Sequence, residues 1–197
     1  IRNVALGLGI AVLFLWLYLA QPSFRSSDPV ELRVDEIRLK VVVQKLSVAF
    51  HPRTFRRTDN LDQTARYLAD HFRQAGGRVG PQNFEVSDSL YRNVRCIFGD
   101  ASKPRLIIGA HYDSHGTTPG ADDNASGVAG LVELAYLFGQ QELDNCIELV
   151  AYTLEEPPFF STKKMGSYIH AKSLRQEGVE VSGMIALEMI GYYSDEP

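Results

Sequence analysis

Histidine and carboxylate side chains follow three apolar runs of the sequence, at the points where those runs end. The run LIIGA leads into HYDSH (111–115), LVAYTL leads into Glu155 and Glu156, and MIAL leads into Glu188. A loop over residues 119–127, PGADDNASG, adds Asp122 and Asp123. Imidazole and carboxylate ligands without thiolate are typical of catalytic zinc sites, and they also suit manganese or cobalt. The pattern therefore indicates a catalytic metal centre.

Each of these groups also has a structural explanation when it is taken alone. His111 could be a buried histidine that bonds a carbonyl group, Asp122 or Asp123 could cap a helix, and paired glutamates commonly lie in solvated loops. Together, however, the carboxylates would crowd negative charge into one place, which is unfavourable unless a cation lies among them. We therefore expect a divalent metal at this position.

The spacing within two of the motifs suggests a division of roles. A carboxylate two residues after His111, which is Asp113, can accept the second imidazole N–H and fix the tautomer of the ring. Neighbouring side chains of an extended segment point in opposite directions, so Glu155 and Glu156 cannot both face the metal. This arrangement permits one metal ligand and one free base.

The elements that must position these groups alternate between helix and strand. Strands are predicted over residues 83–86, 93–98, 106–110, 147–153 and 181–189, and helices over 28–50, 59–75, 124–138 and 162–176. Asp59 or Asn60 is the predicted cap of the second helix. Helices of this length between strands require crossover connections, so we predict an α/β fold with a central mixed, largely parallel sheet and helices on both faces. Ligands of such sheets bind outside the carboxyl ends of the strands.

The first 24 residues differ from the rest of the chain. Residues 4–20 read VALGLGIAVLFLWLYLA, and no charged residue occurs from 3 to 24. That length suits a membrane-crossing helix, with Trp16 and Tyr18 near an interface. We predict a transmembrane signal anchor or a signal peptide over 1–24, with a buried core helix as the alternative. The protein is then membrane-anchored or secreted, with its catalytic domain outside the cytoplasm, either periplasmic or extracellular.

Composition limits the remaining function classes. The 197 residues are 45% hydrophobic and 22% charged, which is typical of a globular domain. A net charge of −4 without basic clusters argues against a nucleic-acid partner. The two cysteines, Cys96 and Cys146, lie in strand-like runs and do not indicate a disulfide framework.

The motifs HYDSH, GADDNASG, LEE and LEM, in this order, resemble the zinc-dependent exopeptidase family of double-zinc aminopeptidases, which also contains glutamate carboxypeptidase and glutaminyl cyclase. The resemblance covers about residues 59–191. It implies a three-layer zinc-peptidase fold, two zinc ions per complete domain and a peptide substrate that loses its N-terminal residue.

Roles carried over from the resemblance fall on six positions. His111 would bind one zinc, Asp123 would bridge both, Glu156 would bind the second, and Glu188 would complete the first, where relatives often have aspartate. Asp113 would orient His111, and Glu155 would be the general base that takes a proton from the attacking water.

Two features depart from the family pattern. A further histidine ligand lies downstream in the family, and His51, His71 and His170 do not match it; His115 is the nearest substitute. We therefore expect residues 25–197 to be the N-terminal part of a catalytic domain. Pro157-Pro158-Phe159-Phe160 replaces a glycine-rich turn, and its two phenylalanines either line the substrate pocket or pack beneath it.

Two other functions remain open at this point. A glutaminyl cyclase has a similar site with one zinc and closes an N-terminal glutamine into a ring. A receptor or scaffold would keep the fold without catalysis. The N-terminal residue preference, the native metal and the oligomeric state are not determined by these motifs.

Overall fold

The computed structural model describes residues 33–193 together with positions 14 and 16. The predicted membrane segment, residues 1–24, otherwise lies outside the described residues. Within the described part of the chain, no helix combines the length and the apolar character that are needed to cross a bilayer.

Five strands of the described region form one mixed sheet in the order β1-β2-β4-β3-β5. Their bounds are β1 Arg78–Val86, β2 Ser89–Gly99, β3 Arg105–His111, β4 Cys146–Tyr152 and β5 Val181–Ala186. Strand β3 is parallel to β4 and β5, whereas β2 is antiparallel to β1 and β4. The predicted mixed sheet is confirmed, but half of the described pairings are antiparallel, so the expectation of a largely parallel sheet was wrong for this region. The short β1–β2 hairpin needs no crossover helix.

Residues 33–193 contain four α-helices: α1 Glu36–Gln44, α2 Thr58–Gln74, α3 Gly127–Phe138 and α4 Gly166–Gln176. Helix α1 continues as a π-helical turn over Lys45–Ala49. The predicted side-chain cap of α2 was wrong, because the helix begins at Thr58 and Arg57 at its N-cap position makes no side-chain bond. Asn60 instead donates to the carbonyl of Pro52 at 2.9 Å, and Asp59 pairs with Arg57 at 3.1 Å.

The two faces of the sheet carry separate cores. Ile108 and Leu149 face the larger core, in which α2 and α3 pack on the sheet and α1 packs against α3. Their neighbours Ile107 and Val150 face the smaller core, which Leu174 of α4 covers. Strand β4 is buried along its whole length because it is covered on both faces. The predicted placement of helices on both faces is therefore confirmed.

The parallel strands set the position of the site. Since β3 runs parallel to both β4 and β5, the carboxyl ends of these three strands lie at the same edge of the sheet. His111 ends β3, Glu155 and Glu156 follow β4, and Glu188 follows β5. The topology therefore brings the polar groups after three separate apolar runs to one edge.

Candidate metal centre and active site

Three of the predicted ligands converge at the carboxyl edge of the sheet. Ligand atoms of His111, Asp123 and Glu156 all lie within 4.8 Å of one another. Nε2 of His111 lies 3.1 Å from Asp123 Oδ1 and 3.5 Å from Glu188 Oε1. All four side chains line one cavity of about 390 Å³, which Glu155 also lines. The four predicted ligands and the predicted base thus share one site.

The electrostatics of the cluster favour a cation. Burial lowers the pKa of His111, but the hydrogen bonds and charges of Asp113 and Glu188 outweigh it and raise the pKa to about 11. Burial and then the charge of Asp123 raise the pKa of Glu156 above its usual range. Asp123 Oδ1 is buried without a well-aligned hydrogen-bond donor, although His111 Nε2 is nearby. One imidazole and three carboxylates in this arrangement fit a divalent metal such as zinc.

Asp123 lies in an irregular turn, and this turn also includes the first residues of the helix that was predicted from residue 124. The turn spans Ala121–Ser126, and Asp123 and Asn124 have non-helical φ and ψ angles. Helix α3 begins after it, at Gly127. This turn allows the Asp123 carboxylate to reach the end of β3.

Asp113 contacts two of the predicted ligands. The Nδ1 atom of His111 lies 3.2 Å from the main-chain carbonyl of Asp113 and 3.4 Å from its Oδ1. The other carboxylate oxygen, Oδ2, accepts a hydrogen bond from the Glu156 N–H at 3.1 Å. Asp113, which is 1% exposed, therefore ties the end of β3 to the segment after β4.

The Glu155 carboxylate lines the same cavity as the predicted ligands and is bonded to the start of α4. Its two carboxylate oxygens accept hydrogen bonds from the N–H of Ser167 at 2.8 Å and from the Ser167 hydroxyl at 2.7 Å. Burial raises the pKa of Glu155, and the Ser167 hydrogen bonds oppose that rise. Ser167 was not predicted, because the helix was expected to start at residue 162 and its first turn, where anions bind readily, was therefore placed before Ser167.

The backbone next to the acidic residues is strained at two positions. Leu154 has a φ of 61° and Met189 has a φ of 48°, in the left-handed region that residues with bulky side chains seldom adopt. Glu155 accepts from Ser167, whereas Glu156 lies near His111 and Asp123, and the extended geometry assumed for the pair ends before them, because β4 ends at Tyr152. Such strain is commonly found at functional sites.

Asn124 is a second residue that the sequence analysis missed. It is fully buried, and its amide donates to the Leu187 carbonyl at 2.8 Å and to Glu188 Oε2 at 3.2 Å. Its Oδ1 accepts from the N–H of Met189 at 3.2 Å. Asn124 therefore positions the segment that carries Glu188 against the turn that carries Asp123.

The buried side chain of Arg53 holds the loop between His111 and Asp123. Its guanidinium donates to the carbonyls of Tyr112 at 2.7 Å, Leu46 at 2.6 Å, Pro119 at 3.0 Å and Gly120 at 2.9 Å. Burial lowers its pKa to about 10, and the charges of the nearby aspartates oppose this effect. Both ends of the loop are thus bonded to one side chain.

We expect an Arg53→Met variant to lose at least about 3 kcal/mol of unfolding free energy, because several buried carbonyls lose their donor. Urea denaturation of both proteins would measure the loss. Arg57→Met is the matched control, since Arg57 forms only an exposed pair with Asp59 and its removal should change stability little. Equal stabilities for the two variants would contradict the assigned role of Arg53.

The remaining histidines differ in their distance from the site. His115 is largely exposed, and its Nδ1 lies 3.8 Å from Glu156 Oε2. His71 bonds the Tyr136 hydroxyl, and His170 bonds the Tyr152 hydroxyl. Among these, His115 is the one that lies beside a predicted ligand.

The two phenylalanines of the loop after Glu156 have different environments. Phe159 is buried and packs edge-on against Phe55, with ring centroids 5.2 Å apart. Phe160 is 62% exposed and lines the cavity that contains the cluster. Phe160 therefore fits the alternative of a residue that lines the pocket, and Phe159 fits the alternative of a residue that packs against the protein.

Comparisons with known proteins identify the family of this chain. The family described as "Peptidase family M28" matches residues 93–197. Uncharacterized protein YfbL of Escherichia coli is 46% identical over 168 residues, covering 81% of this chain and 51% of that protein. A probable leucine aminopeptidase of Arthroderma benhamiae is 26% identical over 178 residues, covering 83% and 48%. The chain thus spans about half the length of these relatives.

Solved structures of other proteins have a similar fold. The structure of a Porphyromonas gingivalis glutaminyl cyclase matches with a TM-score of 0.69 at 24% identity, covering 80% of this chain and 60% of that chain. At this identity the likeness establishes the fold, not the reaction.

Proposed function

Since the chain belongs to peptidase family M28, we propose that the full-length protein is a zinc aminopeptidase that removes N-terminal residues from peptides. The observation that carries the proposal is the cluster of His111, Asp123 and Glu156, with Glu155 in the same cavity. The relative named leucine aminopeptidase supports the exopeptidase part of the proposal.

The donor set supports zinc as the metal. His111, Asp123, Glu156 and Glu188 would hold it, and we propose two ions per complete domain. Zinc, when bound, supplies a Lewis acid that polarises the peptide carbonyl and stabilises negative charge in the transition state. Asp113 holds the His111 ring with Nε2 directed toward Asp123 and Glu188.

Glu155 is the proposed general base. Water attacks the carbonyl carbon of the first peptide bond, Glu155 takes its proton, and the same carboxyl group delivers a proton to the departing amine as the C–N bond breaks. A carboxylate with a pKa raised by burial is better suited to accept that proton near neutral pH. The hydrogen bonds from Ser167 fix the carboxylate for both transfers.

We also propose that the catalytic domain lies outside the cytoplasm, tethered or exported through residues 1–24. The support for this proposal is the uninterrupted apolar composition of residues 4–20.

The function is tested with full-length protein, a panel of aminoacyl anilides and peptides that begin with glutamine. The proposal expects release of free amino acids, loss of that release with a chelator, recovery with zinc, and about two zinc ions per chain by elemental analysis. Ring closure of N-terminal glutamine with one zinc would establish a cyclase instead. Absence of both reactions with zinc supplied would favour a receptor or scaffold.

A further inference from the structure

The loop between β4 and α4 is a bonded turn that begins at a proposed metal ligand. The N–H groups of Phe159 and Phe160 both lie within hydrogen-bond distance of the Glu156 carbonyl, at 3.0 and 3.3 Å. The Phe159 carbonyl then accepts from the N–H and the hydroxyl of Thr162, at 2.9 and 2.6 Å. The backbone of Phe160 is thus fixed relative to Glu156.

The side chain of Phe159 anchors this turn in the protein. It packs against Phe55, and the ammonium group of Lys164 lies 5.9 Å from its ring centroid. The next residue, Phe160, points its ring to the cavity instead and remains 62% exposed. A single exposed aromatic residue is unremarkable by itself. Phe160 differs from such residues because its backbone is bonded to Glu156, a proposed metal ligand.

The rest of the cavity has two kinds of lining. The proposed metal ligands and Glu155 supply its charged groups, whereas Tyr152, Met165, Met184 and Leu187 join Phe160 as apolar or aromatic lining. No lysine or arginine lines this cavity among the described residues. A cavity with convergent polar groups and an apolar remainder is typical of a site that binds a partly apolar ligand.

We propose that Phe160 determines substrate specificity by forming the apolar wall against which the N-terminal side chain of the peptide packs. The inference rests on the proposed aminopeptidase function. Large apolar side chains such as leucine and phenylalanine gain contact with the wall, while the alanine methyl group is too short to do so. A glutamate side chain would lose water at the wall without meeting a cationic partner there.

The test compares full-length parent, Phe160→Ala and Phe160→Leu proteins on leucine, phenylalanine, alanine and glutamate anilides. We expect Phe160→Ala to lower the ratio of kcat/KM for leucine over alanine by about tenfold, since apolar contacts of this size discriminate to that degree. Phe160→Leu should recover much of the ratio. Inhibition by free leucine should weaken by a similar factor in Phe160→Ala.

Leu90→Ala is the matched control, because Leu90 is another half-exposed large apolar residue and does not line the cavity. It should leave the ratio unchanged. Thermal unfolding should give the same Tm for Phe160→Ala and the parent. A uniform loss of rate on all substrates together with a lower Tm would instead mean that Phe160 packs against protein, and would overturn the inference.

The outcomes also separate this inference from the function on which it rests. An active parent whose leucine-to-alanine ratio survives Phe160→Ala would overturn the specificity role and leave the aminopeptidase function standing. A parent that releases no amino acid from any anilide would overturn the function itself, and the specificity role with it.

Discussion

Glu155→Gln is expected to lower kcat of the full-length protein by about 10²–10⁴-fold without changing its zinc content, because proton transfer by a positioned base contributes about that much. The glutamine amide has the same shape; its oxygen can still accept from the Ser167 N–H, and its NH2 group can donate to the Ser167 hydroxyl oxygen. The glutamine amide is too weak a base to take a proton from the attacking water. The substitution therefore removes the proposed base while keeping its contacts.

The measurement is steady-state hydrolysis of leucine anilide together with elemental analysis of the same samples. Glu142→Gln is a matched control, because Glu142 is exposed and lies outside the cavity. Ser167→Ala should give an intermediate loss in kcat, since the N–H of residue 167 still bonds the carboxylate when the hydroxyl is gone. Near-parental kcat for Glu155→Gln would exclude Glu155 as the base. Loss of zinc would mean that Glu155 supports the metal instead.

The convergence of the predicted ligands at one sheet edge was predictable from the sequence, because it depends on a simple rule. Polar residues that follow apolar strands meet at one edge when those strands are parallel, and β3, β4 and β5 are parallel. The order of motifs then assigned His111, Glu156 and Glu188 to that edge. The antiparallel pairing of β1 and β2 did not affect the predicted position of the ligands, because neither strand carries one of them.

The residues that support the cluster were not predictable by the same rule. Arg53 bonds a carbonyl 67 positions away, and Asn124 bonds one 63 positions away. Ser167 reaches Glu155 across the whole loop that precedes α4. Local periodicity contains no information on such pairs, which depend on how separate elements pack.

The start of α4 shows why element boundaries also escaped prediction. The pattern predicts a helix from residue 162, but α4 begins at Gly166. The Gly166 N–H bonds the Thr153 carbonyl at 2.9 Å, and its carbonyl accepts from Asn93 at 2.9 Å. A Cβ at this position would lie 2.2 Å from Asn93 Oδ1. Close packing on β2 and on the end of β4 therefore sets the first turn.

The most specific test of the proposed metal site compares the zinc affinities of variants at two adjacent aspartates, Asp123 and Asp122. Asp123→Asn should lower zinc affinity by at least about 100-fold, because even outer partners of a ligand contribute 10–100-fold. Asp123 Oδ1 lies 3.1 Å from His111 Nε2, at the point where the ligand atoms converge. Hydrolysis of leucine anilide should fall with zinc occupancy and recover in part at high zinc concentration.

Asp122→Asn provides the control, since it makes the same chemical change one residue away. The Asp122 carboxylate accepts from the Gly191 N–H at 2.9 Å and from the Ser126 hydroxyl at 3.0 Å, and it does not line the cavity. Its amide variant can keep both bonds through the side-chain oxygen, so zinc affinity should change little. If both variants lost zinc equally, the turn rather than the Asp123 carboxylate would determine binding. If neither did, Asp123 would not be a ligand, and its proposed role in the metal centre would be wrong.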